Sequence, residues 1–229
     1  MAMNVKKRPG KVKNSLIGLG VFAIATGSAY FLLYRSGYLP PLAELWDVLC
    51  LNGGTDENST TIAPRSFLNY DKPIKEILGT DKIDKNKSSI LVEKSKYKLT
   101  FYYDQKPIKS YPVVFGANPV DDKLKEGDKR TPEGTFKIKD LYPHPAWSKF
   151  IWLDYPTTSS WRKHFKAKKE GKINWNDSIG SEIGIHGTPD DSLIEKKSNW
   201  TLGCVSLKNK DVNELYQFVQ KGTEVEIIP

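Results

Sequence analysis

The chain has 229 residues, 38% hydrophobic and 27% charged, enough for one ordinary domain with appendages and too few for two large ones. Fourteen Pro, seventeen Gly and eleven Tyr point away from a helical bundle and towards strands and turns. The net charge of +8 is unevenly placed: six of the 35 basic residues and no acid lie before residue 36, so the remainder carries 29 basic against 27 acidic side chains and does not read as a nucleic-acid-binding domain.

In chain order, residues 1–13 form a basic tail with Lys6, Lys7, Arg8, Lys11 and Lys13. Asn14 to Tyr34, "NSLIGLGVFAIATGSAYFLLY", carries no charge, and at about 1.5 Å per residue such a helix spans a bilayer core. The basic residues before it place the N-terminus in the cytoplasm and the rest of the chain outside. A cleaved signal peptide would have a shorter apolar region ending in small residues; here Gly27, Ser28 and Ala29 sit inside the run. The sequence therefore predicts a transmembrane anchor over residues 14–35, inserted in the inner membrane. Residues 36–86 read as a linker with short helices, one around "LAELWDVL" and one over Ile74 to Leu78. Cys50, in "DVLC", follows bulky Val48 and Leu49 and so makes a poor lipidation site. A disulfide to Cys204 is an open alternative in an exported chain, and it would cap that thiol.

From Ser88 the apolar residues alternate with period two. "SSILVEK" is a strand, and "KLTFYYDQKPIKSYPVVFG" reads as two strands around a turn at Asp104 to Pro107. "TFKIKDLY", "SEIGIHG", "CVSL" and "TEVEII" follow as further strands, and "KDVNELYQFVQKG" as a helix with Asn209 at its N-cap. The basic run "WRKHFKAKKEGK", residues 161–172, reads as a solvated helical flap or loop, with a basic lip for an acidic substrate or an anionic polymer as the alternative. Residues 87–229 are thus a mostly-β domain with few helices.

The chain contains only three His and two Cys, yet His186 and Cys204 each stand beside a Gly in "IHGTPDDSLIEKKSNWTLGCVSL". A thiol attacks as thiolate, and an imidazole supplies that form by taking its proton. Backbone N–H groups around Gly203 and Cys204 could stabilise an oxyanion, and a carbonyl at Gly187 could fix the imidazole tautomer. From spacing alone a buried structural Cys and a satisfied strand-end His are the better explanation of the pair. His144 and His164 are weaker candidates, and one His with one Cys and no CxxC does not make a zinc site.

The residues then show a resemblance. His186-Gly187-Thr188 followed by Thr201-Leu202-Gly203-Cys204-Val205-Ser206 resembles the catalytic motif of the L,D-transpeptidase (YkuD-like) family: His-Gly, then Ser/Thr-His-Gly-Cys, an apolar residue, and Asn or Arg. "GDKRTPEGTF", Gly127 to Phe136, and the hairpin from Lys94 to Pro119 are similar to two further family features. Leu202 and Ser206 depart from the pattern. The resemblance implies a β-sandwich or barrel, Cys204 as nucleophile, His186 as base, Gly203 and Gly187 as oxyanion or orienting groups, and Thr188, Thr201, Leu202 and Ser206 as substrate contacts. It further implies peptidoglycan stem peptides as substrate on the periplasmic or cell-wall side, with no cofactor or metal. The acyl-enzyme would pass to an amine or, in relatives that cleave peptidoglycan–protein links, to water.

Overall fold

The computed structural model describes residues 26–49 and 67–229. Eight strands form one sheet in the order β3-β2-β1-β8-β4-β5-β6-β7. They are β1 (Ser88–Glu93), β2 (Lys98–Tyr103), β3 (Lys106–Pro112), β4 (Gly134–His144), β5 (Ser148–Leu153), β6 (Gly184–His186), β7 (Val205–Ser206) and β8 (Glu224–Ile228). Alternation sets the inward face: Ile90, Val92, Leu99, Phe101, Phe136, Ile138, Val225 and Ile227 are all buried in one core. The β2–β3 turn holds Asp104 and Gln105 at φ of 51° and 63°, the left-handed pair a two-residue hairpin favours.

The expected sandwich or barrel is a single curled sheet whose ends meet. Just beyond β3, Val114 pairs with Ser206 of β7, through N–H···O bonds of 3.0 and 2.8 Å. Gly116 bridges to Thr201 in the same seam. The two chain regions carrying "VFG" and "TLGCVS" are thereby held against each other.

Three elements differ from the sequence reading. β4 runs on past "TFKIKDLY" to His144, pairing first with β8 and then, after an irregularity between Ile138 and Asp140, with β5. β5 itself is hidden in the sequence by Pro143 and Pro145 just upstream, which read as a loop. The basic run lies on a regular helix, Thr158–Lys169, started by Thr157 Oγ1, which accepts from Ser160 N–H. Trp161, His164, Ala167 and Lys168 form its buried stripe. Lys163 is tied to Asp122 at 2.7 Å and Lys168 to the Trp175 carbonyl at 2.9 Å. This element is neither a solvated flap nor a lip on the cleft described below.

The remaining helices are α1 (Leu45–Leu49), α2 (Ile74–Leu78), the basic helix as α3, α4 (Ser192–Glu195) and α5 (Asn209–Phe218). Parts of the stretches expected as linker pack on the domain. Val48 is buried, and Thr158 Oγ1 donates to Glu44. Ile74 is fully buried, and its N–H meets Glu214 Oε1 of α5 at 2.7 Å. Residues 26–35 are helical, whereas residues 14–25 of the expected anchor, and Cys50, lie outside the described residues. Among the described residues no helix is long and apolar enough to cross a membrane.

Glu214 gathers the second face of α5. Besides Ile74 N–H it accepts from Lys109 Nζ at 2.8 Å and Tyr111 Oη at 2.9 Å, while Tyr70 Oη donates to Asp211 one turn earlier at 2.9 Å. The Lys109 side chain is only 5% exposed, so losing its carboxylate would strand a buried charge. Glu214→Ala should cost about 2–3 kcal/mol, measured as a lowered urea midpoint. An unchanged midpoint would mean that this cluster does not hold residues 67–78 to the domain.

Candidate active site

β6 and β7 place the two chemically notable residues. Their parallel register pairs Ile185 with Val205 and His186 with Ser206. Cys204, one residue before β7, therefore comes level with Gly184, and the period of two turns Cys204 and His186 towards the same face. Both line one open cleft of about 800 Å³, together with Tyr142, His144, Trp147, Phe150, Trp200 and Leu202.

Glycine is required at both ends of this arrangement. Gly203 has φ of +142°, and a Cβ there would lie 2.7 Å from the Arg130 carbonyl oxygen. A Cβ on Gly187 would lie 2.1 Å from Asn209 Oδ1 and 2.5 Å from the Trp147 carbonyl oxygen.

His186 is 1% exposed and boxed in by aromatic rings. Trp147 stacks on it at 4.5 Å between centroids, Phe150 lies parallel at 5.8 Å, and Trp200 meets it edge-on at 5.6 Å. His144 stacks on Trp147 at 4.3 Å, and its Nδ1 accepts from the Ala146 and Trp147 N–H groups. His186 Nδ1 lies 2.6 Å from the Gly187 carbonyl oxygen. A carbonyl only accepts, so Nδ1 carries the proton and Nε2 keeps its lone pair in the neutral ring. Burial drives the His186 pKa down to about 4, against the Gly187 bond, which pulls it up; His144 adds to the lowering. Burial likewise pushes the Cys204 thiol up to about 11, opposed by a backbone hydrogen bond from Gly184 and by the charge of Lys123. At neutral pH the pair rests as thiol and imidazole. Cys204 is a free thiol and donates weakly to the Glu182 carbonyl at 3.6 Å.

The other sequence-derived candidates divide. The Gly187 carbonyl does orient His186. The Gly203 N–H, expected with that of Cys204 as an oxyanion donor, is bound to Thr201 Oγ1 at 3.1 Å in the resting site. Thr201, Thr188 and Ser206 are buried, and their hydroxyls are committed to the Cys204, Asp190 and Gly187 carbonyls at 2.7, 3.0 and 3.1 Å. They build the loops; their hydroxyls do not reach for a substrate. Leu202 is 74% exposed at the rim of the cleft. His144 lines the cleft, whereas His164 is fully buried in α3, its Nδ1 2.6 Å from the Leu124 carbonyl oxygen, and takes no part. Sequence reasoning missed Trp147, Phe150, Trp200 and Asn209; the aromatic density of "HPAWSKFIW" is the one signal that pointed to the box. Among the described residues no group of three His, Cys, Asp or Glu side chains is placed to hold a metal ion.

Fold and cleft together define a β-rich domain that seats a thiol and a buried neutral imidazole on one face of a curled sheet. Residues 87–227 match the model of the YkuD family, the L,D-transpeptidase catalytic domain, and the chain belongs to that family. A Bacillus licheniformis protein assigned to the L,D-transpeptidases under the name YkuD is 29% identical over 131 residues, covering 57% of this chain and 59% of the relative. Among solved structures, the helical cell shape determining protein Pgp2 of Campylobacter jejuni is similar at 25% identity with a TM-score of 0.45, covering 61% of this chain and 46% of Pgp2. An L,D-transpeptidase from Mycobacterium smegmatis is similar at 13% identity with a TM-score of 0.42, covering 62% of this chain and 59% of that one. The chain thus spans under two thirds of the length of each of these relatives.

The depressed His186 pKa has a thermodynamic consequence. A histidine that holds its proton less tightly when folded is protonated first in the unfolded chain. Stability from the neutral ring is therefore complete above pH 6.5 and drains away as pH falls towards about 4, by about 3 kcal/mol if the full shift applies. His164 is lowered too, so the contribution of His186 is a difference. His186→Gln should flatten the fall in stability between pH 6.5 and 4 relative to wild type, in chemical denaturation at each pH. Equal slopes would show that the ring is not buried neutral.

Proposed function

We propose that the protein is a cysteine acyltransferase acting on the stem peptides of peptidoglycan, with Cys204 as nucleophile and His186 Nε2 as its base. The observation that carries the reading is the shared cleft: the free thiol and a buried neutral imidazole, with Nδ1 committed to Gly187, line it together. As Cys204 Sγ attacks the stem-peptide carbonyl, its proton passes to Nε2. The tetrahedral intermediate collapses, the C–N bond breaks, and the departing amine takes that proton from the imidazolium. An acyl-enzyme thioester remains, with His186 neutral again. An amine from a second stem, losing its proton to Nε2, then attacks the thioester; the C–S bond breaks, Nε2 returns the proton to the departing Cys204 Sγ, and a cross-link forms. Water arriving first gives a hydrolysed product instead.

Burial pushes the resting thiol up to about 11, which favours deprotonation coupled to attack over a preformed thiolate. Leu202, exposed at the rim, presents a surface with no hydrogen-bonding group to the incoming acceptor. The same reading places the domain on the outer face of the membrane, anchored through residues 14–35. Protease added to intact spheroplasts should then digest it without lysis.

Cys204→Ala and His186→Ala should each abolish turnover of purified peptidoglycan while circular dichroism stays at wild type, and Cys50→Ala should leave turnover intact. Mass-resolved muropeptides read the outcome: cross-linked stems support the transferase, trimmed stems a hydrolase using the same thioester, and an active Cys204→Ala protein would remove the nucleophile assignment altogether. A carbapenem should leave a covalent adduct on Cys204 in the intact mass. Leu202→His should alter the ratio of cross-linked to hydrolysed product without relieving the need for Cys204; an unchanged ratio would mean that the rim does not meet the acceptor.

A further inference from the structure

Asn209 reads in the sequence as a helix cap, and the structure gives it a different task. It is the first residue of α5, but Lys208 stands at the cap position and no side chain caps the helix. The Asn209 carboxamide turns instead to the backbone beside His186. Its Oδ1 accepts from the Thr188 N–H at 3.1 Å, and its Nδ2 donates to the Thr188 carbonyl at 2.9 Å. It occupies the space a side chain at 187 would need.

The Thr188 N–H and the Gly187 C=O are the two ends of one peptide unit. That carbonyl is the acceptor for His186 Nδ1 at 2.6 Å. The atoms therefore form a continuous chain, in which Asn209 Oδ1 accepts from Thr188 N–H while the Gly187 C=O on the same peptide accepts from His186 Nδ1–H. An amide whose N–H is hydrogen-bonded is polarised, and its oxygen becomes a better acceptor. A stronger acceptor at Nδ1–H makes Nε2 more basic, the role a carboxylate plays in other triads.

We propose that Asn209 is a positioning residue for His186, acting through the Gly187–Thr188 peptide, and that it both fixes the direction of the orienting carbonyl and strengthens it. The proposal rests on His186 serving as the base of Cys204. Other contacts hold the same peptide without duplicating this one. Ser206 Oγ donates to the Gly187 oxygen at 3.1 Å and so competes with His186 for it, while the Gly187 N–H, on the preceding peptide, goes to the Trp147 carbonyl. Among the described residues, Asn209 is the group that draws on the N–H side of the peptide.

The test uses the full chain and two readouts that need no peptidoglycan. One is the Nδ1–H proton resonance of His186 in protein carrying 15N-labelled histidine. The other is the rate of Cys204 alkylation by iodoacetamide against pH, followed on the Cys204 peptide by mass spectrometry. Asn209→Ala should move the resonance upfield and slow alkylation at neutral pH by about 2- to 10-fold, the worth of one hydrogen bond. The defect should shrink as pH rises, because hydroxide then removes the thiol proton without the imidazole; general damage to the cleft would slow alkylation at every pH. Asn209→Asp, which keeps the acceptor, should recover most of both signals. If the Ala variant does not fold, Asn209→Leu deletes the same acceptor at similar volume. A wild-type resonance and alkylation profile in the variant lacking the acceptor overturns the proposal, and so does an Asp variant as impaired as that one. Peptidoglycan turnover in wild type is scored separately, so a failed substrate assignment and a failed role for Asn209 give different results.

Discussion

The parallel pairing of β6 with β7 is the constraint on which the site depends. Two residues in each strand suffice: with Ile185 opposite Val205 and His186 opposite Ser206, Cys204 has one place left to go, level with Gly184. A slip of one residue would turn the thiol to the opposite face of the sheet. Such short strands cannot hold a register alone. β7 is pinned on its far side by the seam to Val114, and β6 by antiparallel pairing with β5. Closure of the curled sheet thus sets where sulfur and imidazole stand.

Burial then decides their charge state. The ring stack around His186 excludes water and leaves one polar contact at Nδ1, so the imidazole is neutral and oriented at once. Desolvation also raises the thiol, although Cys204 stands half-buried on the open cleft. A preformed thiolate–imidazolium pair would call for a charge-stabilising setting, which Trp147, Phe150 and Trp200 do not offer.

The strands with clean alternation, β1, β2, β3 and β8, were legible because their signal is local, and so were the helix at Ile74–Leu78 and the hairpin turn, expected over Asp104 to Pro107 and found, shorter, at Asp104–Gln105. β5 was not, since two prolines upstream mimic a loop and its register comes from β4 and β6. α3 was misread because its buried stripe contains His164 and Lys168, which are burial-tolerant only through distant carbonyls at Leu124 and Trp175. At the site, the Gly-flanked His186 and Cys204 stood out, and so did the Gly187 carbonyl. The commitments of the Thr188, Thr201 and Ser206 hydroxyls depend on loop closure and leave no trace in spacing. Asn209 misled because the residue type that caps a helix is also the one able to clamp both sides of a backbone.

The contact between residues 67–78 and α5 bears on where this domain can be cut. The family match begins at residue 87, a boundary defined by shared sequence. The physical boundary lies further upstream, because Tyr70 and Ile74 bond to Asp211 and Glu214 on the helix whose first residue, Asn209, grips the turn after His186. A fragment trimmed to the shared region would bare the outer side of α5 and loosen its first turn. It would keep every residue that touches the cleft, yet lose the brace behind them.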